Sequence, residues 1–319
     1  MSEIKELYNR FKYFMRTFNR NLNYIHDKSG KLYIVLFFDV IWCKIRYGIT
    51  NNEYRIFEFY KINCDKRKTY LSKRYYRRVN RRLVPIEISN VLTDKELFNN
   101  RFKKYLNRDV YNINDLSFKQ VEDFILENKT IIARSTSSSY LCSYEELELP
   151  NFRSPAFLAE DAREKNKCII EKKLTQAKDM NSIASPVILN VVSVYDKKPD
   201  IVSACIKFKS GVNTISGYVD VKKGKIKGYL KDQEGNDFTK EFDGMEIPKF
   251  DEVIEIVKEL SQELEEIKQV EWSFIIGSKS IYLVDGNIWD DYVFIQTPEF
   301  LNNRVGLMSY YKKFTRFFL

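Results

Sequence analysis

The chain has 319 residues, 44% of them hydrophobic and 30% charged, an ordinary globular balance that excludes intrinsic disorder and leaves room for one elaborate domain or two to three smaller ones. Only 7 Pro and 11 Gly are present, too few for long flexible linkers, and no stretch approaches the roughly 18 uninterrupted apolar residues of a membrane span. Five cysteines without C-x-x-C spacing (Cys43, Cys64, Cys142, Cys168, Cys205) and a single histidine, His26, exclude a disulfide framework, a zinc finger and a histidine triad, so any acid–base or metal chemistry falls to carboxylates, amides and cations.

The N-terminus mixes charges from Met1 to Glu6 with no apolar signal core behind it, and a cytoplasmic location is expected. Residues 2–25 read as a helix, with Ile4, Leu7, Tyr8, Phe11, Phe14 and Met15 spaced by three and four, and Asp27–Gly30 breaks it. From Lys31 to Leu83 the chain is aromatic, basic and helical in pattern. The net charge of +9 concentrates at residues 66–82, with Lys66, Arg67, Lys68, Lys73, Arg74, Arg77, Arg78, Arg81 and Arg82 and no acid. Such a run attracts a phosphate-rich partner, and Tyr70, Tyr75 and Tyr76 among the cations offer rings on which bases stack. An anionic membrane surface, a sugar linked to a lipid pyrophosphate, or water alone suits the same residues.

After Pro85, Thr93 with Glu96 predicts a capping box leading into a helix, and a second helix is predicted over about 117–128. The strand Thr130–Arg134 then runs into Ser135-Thr136-Ser137-Ser138-Ser139. A cation at a strand end followed by small hydroxyl residues suits a phosphate, although serine-rich loops are often only loops. Residues 167–171 form a short strand ending in Glu171. Apolar segments at 187–195, 201–208, 216–221 and 225–230, separated by turns, predict an antiparallel meander. An amphipathic helix over 251–269 follows, and then a hairpin, residues 270–276 and 281–287, ending in Asp285-Gly286-Asn287. Asp285 and Asn287 project to one face and carry hard oxygen ligands, so the segment is either a Mg²⁺ site or a turn.

In this order the segments Asp39–Gly48 with Phe57–Lys61, Thr93–Lys95, Ile131–Ser139, Ile170-Glu171, Asn213–Gly217, Gly244–Pro248 and Trp272–Asn287 resemble the ATP-grasp superfamily, specifically the sugar-transfer-associated ATP-grasp proteins of bacterial surface-polysaccharide biosynthesis. The resemblance covers about residues 32–290. It implies an α+β fold in which two subdomains with antiparallel sheets grip Mg·ATP, laid out as a basic helical region at 1–85, a small subdomain at 86–170 and a large subdomain at 171–319. It implies cofactor-binding roles for Lys95, Arg134, Ser137, Ser138 and Ser139 at the phosphates and for Ile170 and Glu171 at the adenine hinge. Asp285 and Asn287 take the metal positions, and Lys207 with Arg134 the catalytic ones.

The activity so implied is ATP-dependent ligation of an amine or similar nucleophile to a carboxylate through an acyl phosphate. A carboxylate-bearing sugar or amino-acid-like compound is the expected substrate. A glycosyltransferase or the inner membrane face is the expected partner of residues 66–82, ahead of nucleic acid. The chain departs from the pattern in having Arg134-Ser135 for Lys-Pro, serines for a glycine-rich loop, Ser273 for a metal carboxylate and Asn190 for an arginine. These departures make the alternative a degenerate member that binds a nucleotide or glycolipid as a scaffold.

Overall fold

In the computed structural model, residues 2–137, 139–288, 292–301 and 303–315 are described. The chain divides into two compact units, residues 1–82 with 291–319, and residues 83–290.

The first unit is helical, with α1 (Ser2–Ser29), α2 (Tyr33–Tyr47), α3 (Asn51–Ile56) and α4 (Lys73–Leu83). The predicted break is real: α1 stops at Gly30, whose φ of +66° disfavours any residue with a Cβ. A reciprocal capping box opens α3, with Glu53 N donating to Thr50 Oγ1 at 3.2 Å and Thr50 N donating to Glu53 Oε2 at 2.7 Å. Phe18, Leu22 and Ile25 of α1 pack on Leu36, Val40 and Cys43 of α2, and Tyr54, Phe57, Phe59 and Tyr70 complete the core. The C-terminal residues join this unit by long-range bonds: Tyr292 stacks on Tyr76 at 4.4 Å, and Gln296 exchanges hydrogen bonds with the Leu71 backbone. Among the described residues no helix is long and apolar enough to cross a membrane.

The basic run divides within this unit. On α4, Lys73, Arg74, Arg77, Arg78, Arg81 and Arg82 form the exposed face. Tyr70 and Tyr76 are buried, so these two rings serve the core instead of stacking bases. Arg67 is also buried, and its fork is fully engaged. Its Nη1 and Nη2 donate to Asp39 at 2.6 and 2.7 Å, and Nε and Nη2 donate to the Phe59 and Ile62 carbonyls. Burial pushes the Asp39 carboxyl up, but the bonds from Arg67 and Tyr54 outweigh it and hold it below the usual range.

In the second unit β1 (Val110–Asn112), β2 (Thr130–Arg134), β3 (Glu145–Glu148) and β4 (Ile169–Lys172) form an antiparallel sheet in the order β1-β4-β2-β3. Ahead of it α5 (Lys95–Arg101) is capped by Asp94, whose Oδ1 accepts from Glu96 N and Leu97 N. The predicted cap, Thr93, instead ends the preceding turn Asn90–Thr93, where its hydroxyl bonds back to Ser89 and Asn90. Two helices, α6 (Phe118–Asn128) and α7 (Pro155–Glu164), cover one face, with Val121, Ile125, Leu158 and Ala162 on Ile131, Ala133 and Ile170. The charges at 160–167 conceal α7 in the sequence, although Ser154 with Pro155 is a helix start and Leu158, Ala159 and Ala162 are its buried stripe.

A seven-stranded antiparallel sheet takes the order β11-β10-β5-β6-β7-β8-β9. It comprises β5 (Ile188–Asp196), β6 (Lys198–Ser210), β7 (Asn213–Asp220), β8 (Lys225–Lys231), β9 (Asp237–Thr239), β10 (Gln269–Ile276) and β11 (Ile281–Asn287). The predicted meander and hairpin are both present. On one face lies α8 (Phe250–Glu263), with Val253, Val257 and Leu260 buried and Ser261 Oγ donating to Ser193 Oγ at 2.6 Å. It ends six residues before the predicted 269, because Leu264 and Ile267 bury themselves in the turn that feeds β10. Ile132 and Tyr140 of the smaller sheet's side meet Ile188, Ile275 and Val284 of the larger sheet, so the two sheets of this unit face one another across a shared core. The fold class is therefore the expected α+β.

Candidate functional site

Strand alternation decides which residues meet at that junction. Directly paired residues share a face, and the register aligns Cys205, Asn190, Ser273 and Asp285 in one row across β6, β5, β10 and β11. Glu271 lies two residues before Ser273 on β10, hence on the same face, and opposes Asn287. Trp272 points the other way, toward α8, and donates its indole N–H to Ser193 Oγ at 2.9 Å. One face of the larger sheet is thus apolar under a helix, and its opposite face carries a polar row.

Asp285 stands at an irregularity in this row. The register shifts between Ser273 and Phe274, leaving Val284 as the extra residue of a β-bulge beside it. Asp285 is fully buried and accepts from Tyr140 N at 2.9 Å and Gly286 N at 3.0 Å, while the Lys95 ammonium sits 2.5 Å from its Oδ1. Lys95, at the first position of α5, also donates to the Leu92 carbonyl at 2.7 Å. The intervening Gly286 is there for room: a Cβ on it would lie 2.5 Å from Phe98 Cε2 and 3.1 Å from Leu92 Cδ2. Glycine lets α5 approach the strand closely enough for Lys95 to reach Asp285.

A second cluster forms on the smaller sheet. Arg134 ends β2 and Glu171 lies on β4, both wholly buried. Arg134 Nε is 3.2 Å from Glu171 Oε1, the Arg108 guanidinium bonds the other oxygen and the Leu283 carbonyl, and the Tyr140 ring lies 4.7 Å from the Arg134 guanidinium carbon. Burial pushes the Glu171 carboxyl up, yet Arg108 and Arg134 outweigh it and leave it below the usual range. Arg134 Nε and Glu171 Oε1 face each other as an ion pair outside hydrogen-bond geometry, while Arg134 Nη1 and Nη2, Arg108 Nη2 and the Ser135 hydroxyl lack a hydrogen-bond partner although they are buried. Unmet buried donors cost about 1–3 kcal/mol each, more when charged. Two guanidiniums and an orphan hydroxyl around one carboxylate therefore form a corner suited to an anion.

A third group surrounds Glu271, which accepts from Lys207 Nζ at 2.8 Å and from the Asn190 amide. The structure thus brings Lys95 to Asp285, Arg134 to Glu171, and Lys207 to the same polar row. Asn287 is half-buried opposite Glu271. Ser137 is exposed beyond the strand, Ser139 precedes the turn Tyr140–Ser143, and Ser138 lies outside the described residues. Ile170 and Glu171 separate, since alternation sends Ile170 into the core under α6 and α7.

Arg108, Tyr140 and Glu271 have no role in the sequence-based assignment. Arg108 lies in a polar connection with no periodicity to mark it. Glu271 was legible, being a carboxylate two residues from Ser273 on the same strand face.

The unmet groups of Arg134, Arg108 and Ser135 are donors of the kind that the phosphates of a nucleotide would take. For Mg²⁺ the chain offers the Asp285 carboxylate and the Asn287 amide, and among the described residues no group of three or more His, Cys, Asp or Glu could hold a metal. Phosphate and water would have to complete that minimal set, and a metal would have to displace the Lys95 ammonium from Asp285.

No family model matches the chain, and no curated protein matches it. Solved structures do match. The ADP complex of PurK, N5-carboxyaminoimidazole ribonucleotide synthetase, is 13% identical over 67% of this chain and 51% of that one, with a TM-score of 0.39. D-alanyl-alanine synthetase A from Vibrio cholerae O1 biovar eltor strain N16961 is 13% identical over 72% and 66%, with a TM-score of 0.45. The ATP-grasp ligase PsnB complexed with minimal precursor is 12% identical over 66% and 57%, with a TM-score of 0.41. The chain spans between half and two thirds of the length of these proteins.

Proposed function

We propose that the chain is an ATP-dependent ligase of the ATP-grasp type that joins a carboxylate to an amine or similar nucleophile in surface-polysaccharide biosynthesis. The observation that carries this reading is the corner where the buried Arg134 guanidinium and Arg108 Nη2 lack hydrogen-bond partners. Arg134 and Arg108 would grip the phosphates, and Lys95 would turn from Asp285 toward them. Lys207 would offset the charge that builds when an anionic carboxylate meets an anionic phosphate, which is the main barrier to this chemistry. Asp285 and Asn287 would hold Mg²⁺, which when bound supplies further neutralisation of the phosphates. The acceptor would be a carboxylate-bearing sugar or amino-acid-like compound.

A second reading, a nucleotide-binding scaffold without turnover, is favoured by Ser273 in place of a carboxylate and by the closed Lys95–Asp285 pair. Calorimetry with ATP in the presence and absence of Mg²⁺ separates the two. Binding that tightens with Mg²⁺ and loses that gain in Asp285→Asn supports the ligase. Equal binding with and without the metal supports the scaffold. Absence of binding heat, together with an unchanged melting temperature in saturating Mg·ATP, overturns both.

A further inference from the structure

We infer that the outer face of α2 is a membrane-docking face that lies flat in the interface of an anionic lipid bilayer. The inner face of this helix is accounted for, since Leu36, Val40 and Cys43 are buried against α1. The outer face is apolar and open: Ile34, Phe38, Trp42 and Ile45 are 59%, 62%, 54% and 75% exposed, and Val35 and Phe37 flank them. At about 100° per residue these six side chains fall within an arc of about 160°. Lys44 and Arg46 sit at the two edges of that arc, both exposed.

Asp39 is the helix's one acid, and Arg67 and Tyr54 engage both its oxygens. An exposed apolar arc of this width is unusual on a free surface and marks an interaction site. Charge identifies what covers it. The first unit holds 24 Lys and Arg against 9 Asp and Glu, a net +15, whereas the second holds 29 against 35, a net −6. A helix with Trp and Phe in the middle of its apolar face and cations at the margins, carried by a strongly basic unit, matches an interfacial helix on anionic lipid, where each cation near the surface adds about 1 kcal/mol. At about 22 Å the helix is shorter than the roughly 30 Å hydrocarbon core. It is also anchored on one side by α1, so it lies on the bilayer and does not span it.

The test is flotation of the full chain with vesicles of phosphatidylglycerol and phosphatidylcholine in equal parts, against phosphatidylcholine alone. The mixed vesicles should retain the protein and the neutral ones should not, and Trp42 emission should shift to the blue on binding. Phe38→Ser with Trp42→Ser removes apolar contact without changing charge and should weaken binding about tenfold or more. Circular dichroism should be unchanged, because both side chains are exposed. Three results would overturn the inference. One is no retention on the mixed vesicles. Another is retention that the double variant leaves intact while Arg77→Ala with Arg78→Ala abolishes it. The third is a dimer in sedimentation that the double variant dissolves, with no vesicle binding, which would make a second copy the occupant.

Discussion

Arg67 and Arg134 are buried arginines, one from each unit, and the protein solvates them in opposite ways. Arg67, in the helical unit, gives its fork to a carboxylate held by two bonds and to backbone carbonyls. Arg134, in the two-sheet unit, is buried as deeply, yet its three nitrogens find no hydrogen-bond partner and its one ion pair is shared with Arg108. Desolvating a guanidinium is costly in either place. Where the protein returns the lost bonds, the residue holds the fold together. Where it withholds them, the donors match the phosphate-gripping role proposed for them.

The comparison breaks if the two arginines respond alike to removal. Arg67→Met strands the Asp39 carboxylate and is expected to destabilise the chain by about 3–5 kcal/mol in urea unfolding. Arg134→Met leaves Glu171 with Arg108 and is expected to change stability by less than about 1 kcal/mol. The second change should instead weaken ATP binding about tenfold or more, since charge-assisted bonds are worth about 1.5–3 kcal/mol each. Equal losses of stability in the two variants would make Arg134 another structural residue.

Acid sharpens the same contrast to a lesser degree. Asp39 and Glu171 both titrate below their ordinary values of 3.8 and 4.5 in the folded chain. A depressed carboxyl contributes stability that is complete above its unfolded value and lost as pH falls through its folded one. The unfolding free energy should therefore fall steadily as pH drops below about 4.5. Asp39→Asn and Glu171→Gln should each flatten that slope, and slopes matching the wild type would show that these carboxyls do not titrate with unfolding. The smallest effect belongs to a site outside both clusters. Asp94→Ala should cost about 1 kcal/mol as a lost N-cap, whereas Thr93→Ala should cost less, and the reverse order would restore Thr93 as the cap.

The sequence revealed elements better than it revealed encounters. Periodicity of three and four located α1, α6 and α8, and alternation with turn residues located β5 to β8 and the final hairpin, because those signals are local. The failures were local competitions as well: Asp94 outcompeted its neighbour Thr93 for the cap, and the charged outer face of α7 hid its small buried stripe. At the site, Lys95, Arg134, Glu171, Lys207 and Asp285 were legible as residue types at strand and helix ends. Their pairings were not, since Lys95 meets Asp285 across 190 positions of chain and Arg108 reaches the Leu283 carbonyl across 175. Nor does any local pattern foretell that Gln296 will bond the Leu71 backbone. The tyrosines of the basic run show how composition misleads, for Tyr70 and Tyr76 read as a nucleic-acid platform until their burial is known.

The contact of Gly286 with the Phe98 ring carries a consequence for how the site responds to its surroundings. The gap between α5 and β11 is set by a ring resting on bare backbone, a steric stop that dissolved ions do not alter. Screening weakens charges that face water and reaches enclosed ones far less. Raising ionic strength should thus strip the exposed cations of α4 of their long-range pull while the spacing of Lys95 and Asp285 stays fixed. One molecule then holds two electrostatic systems, one tuned by the solution and the other by the shape of a single glycine.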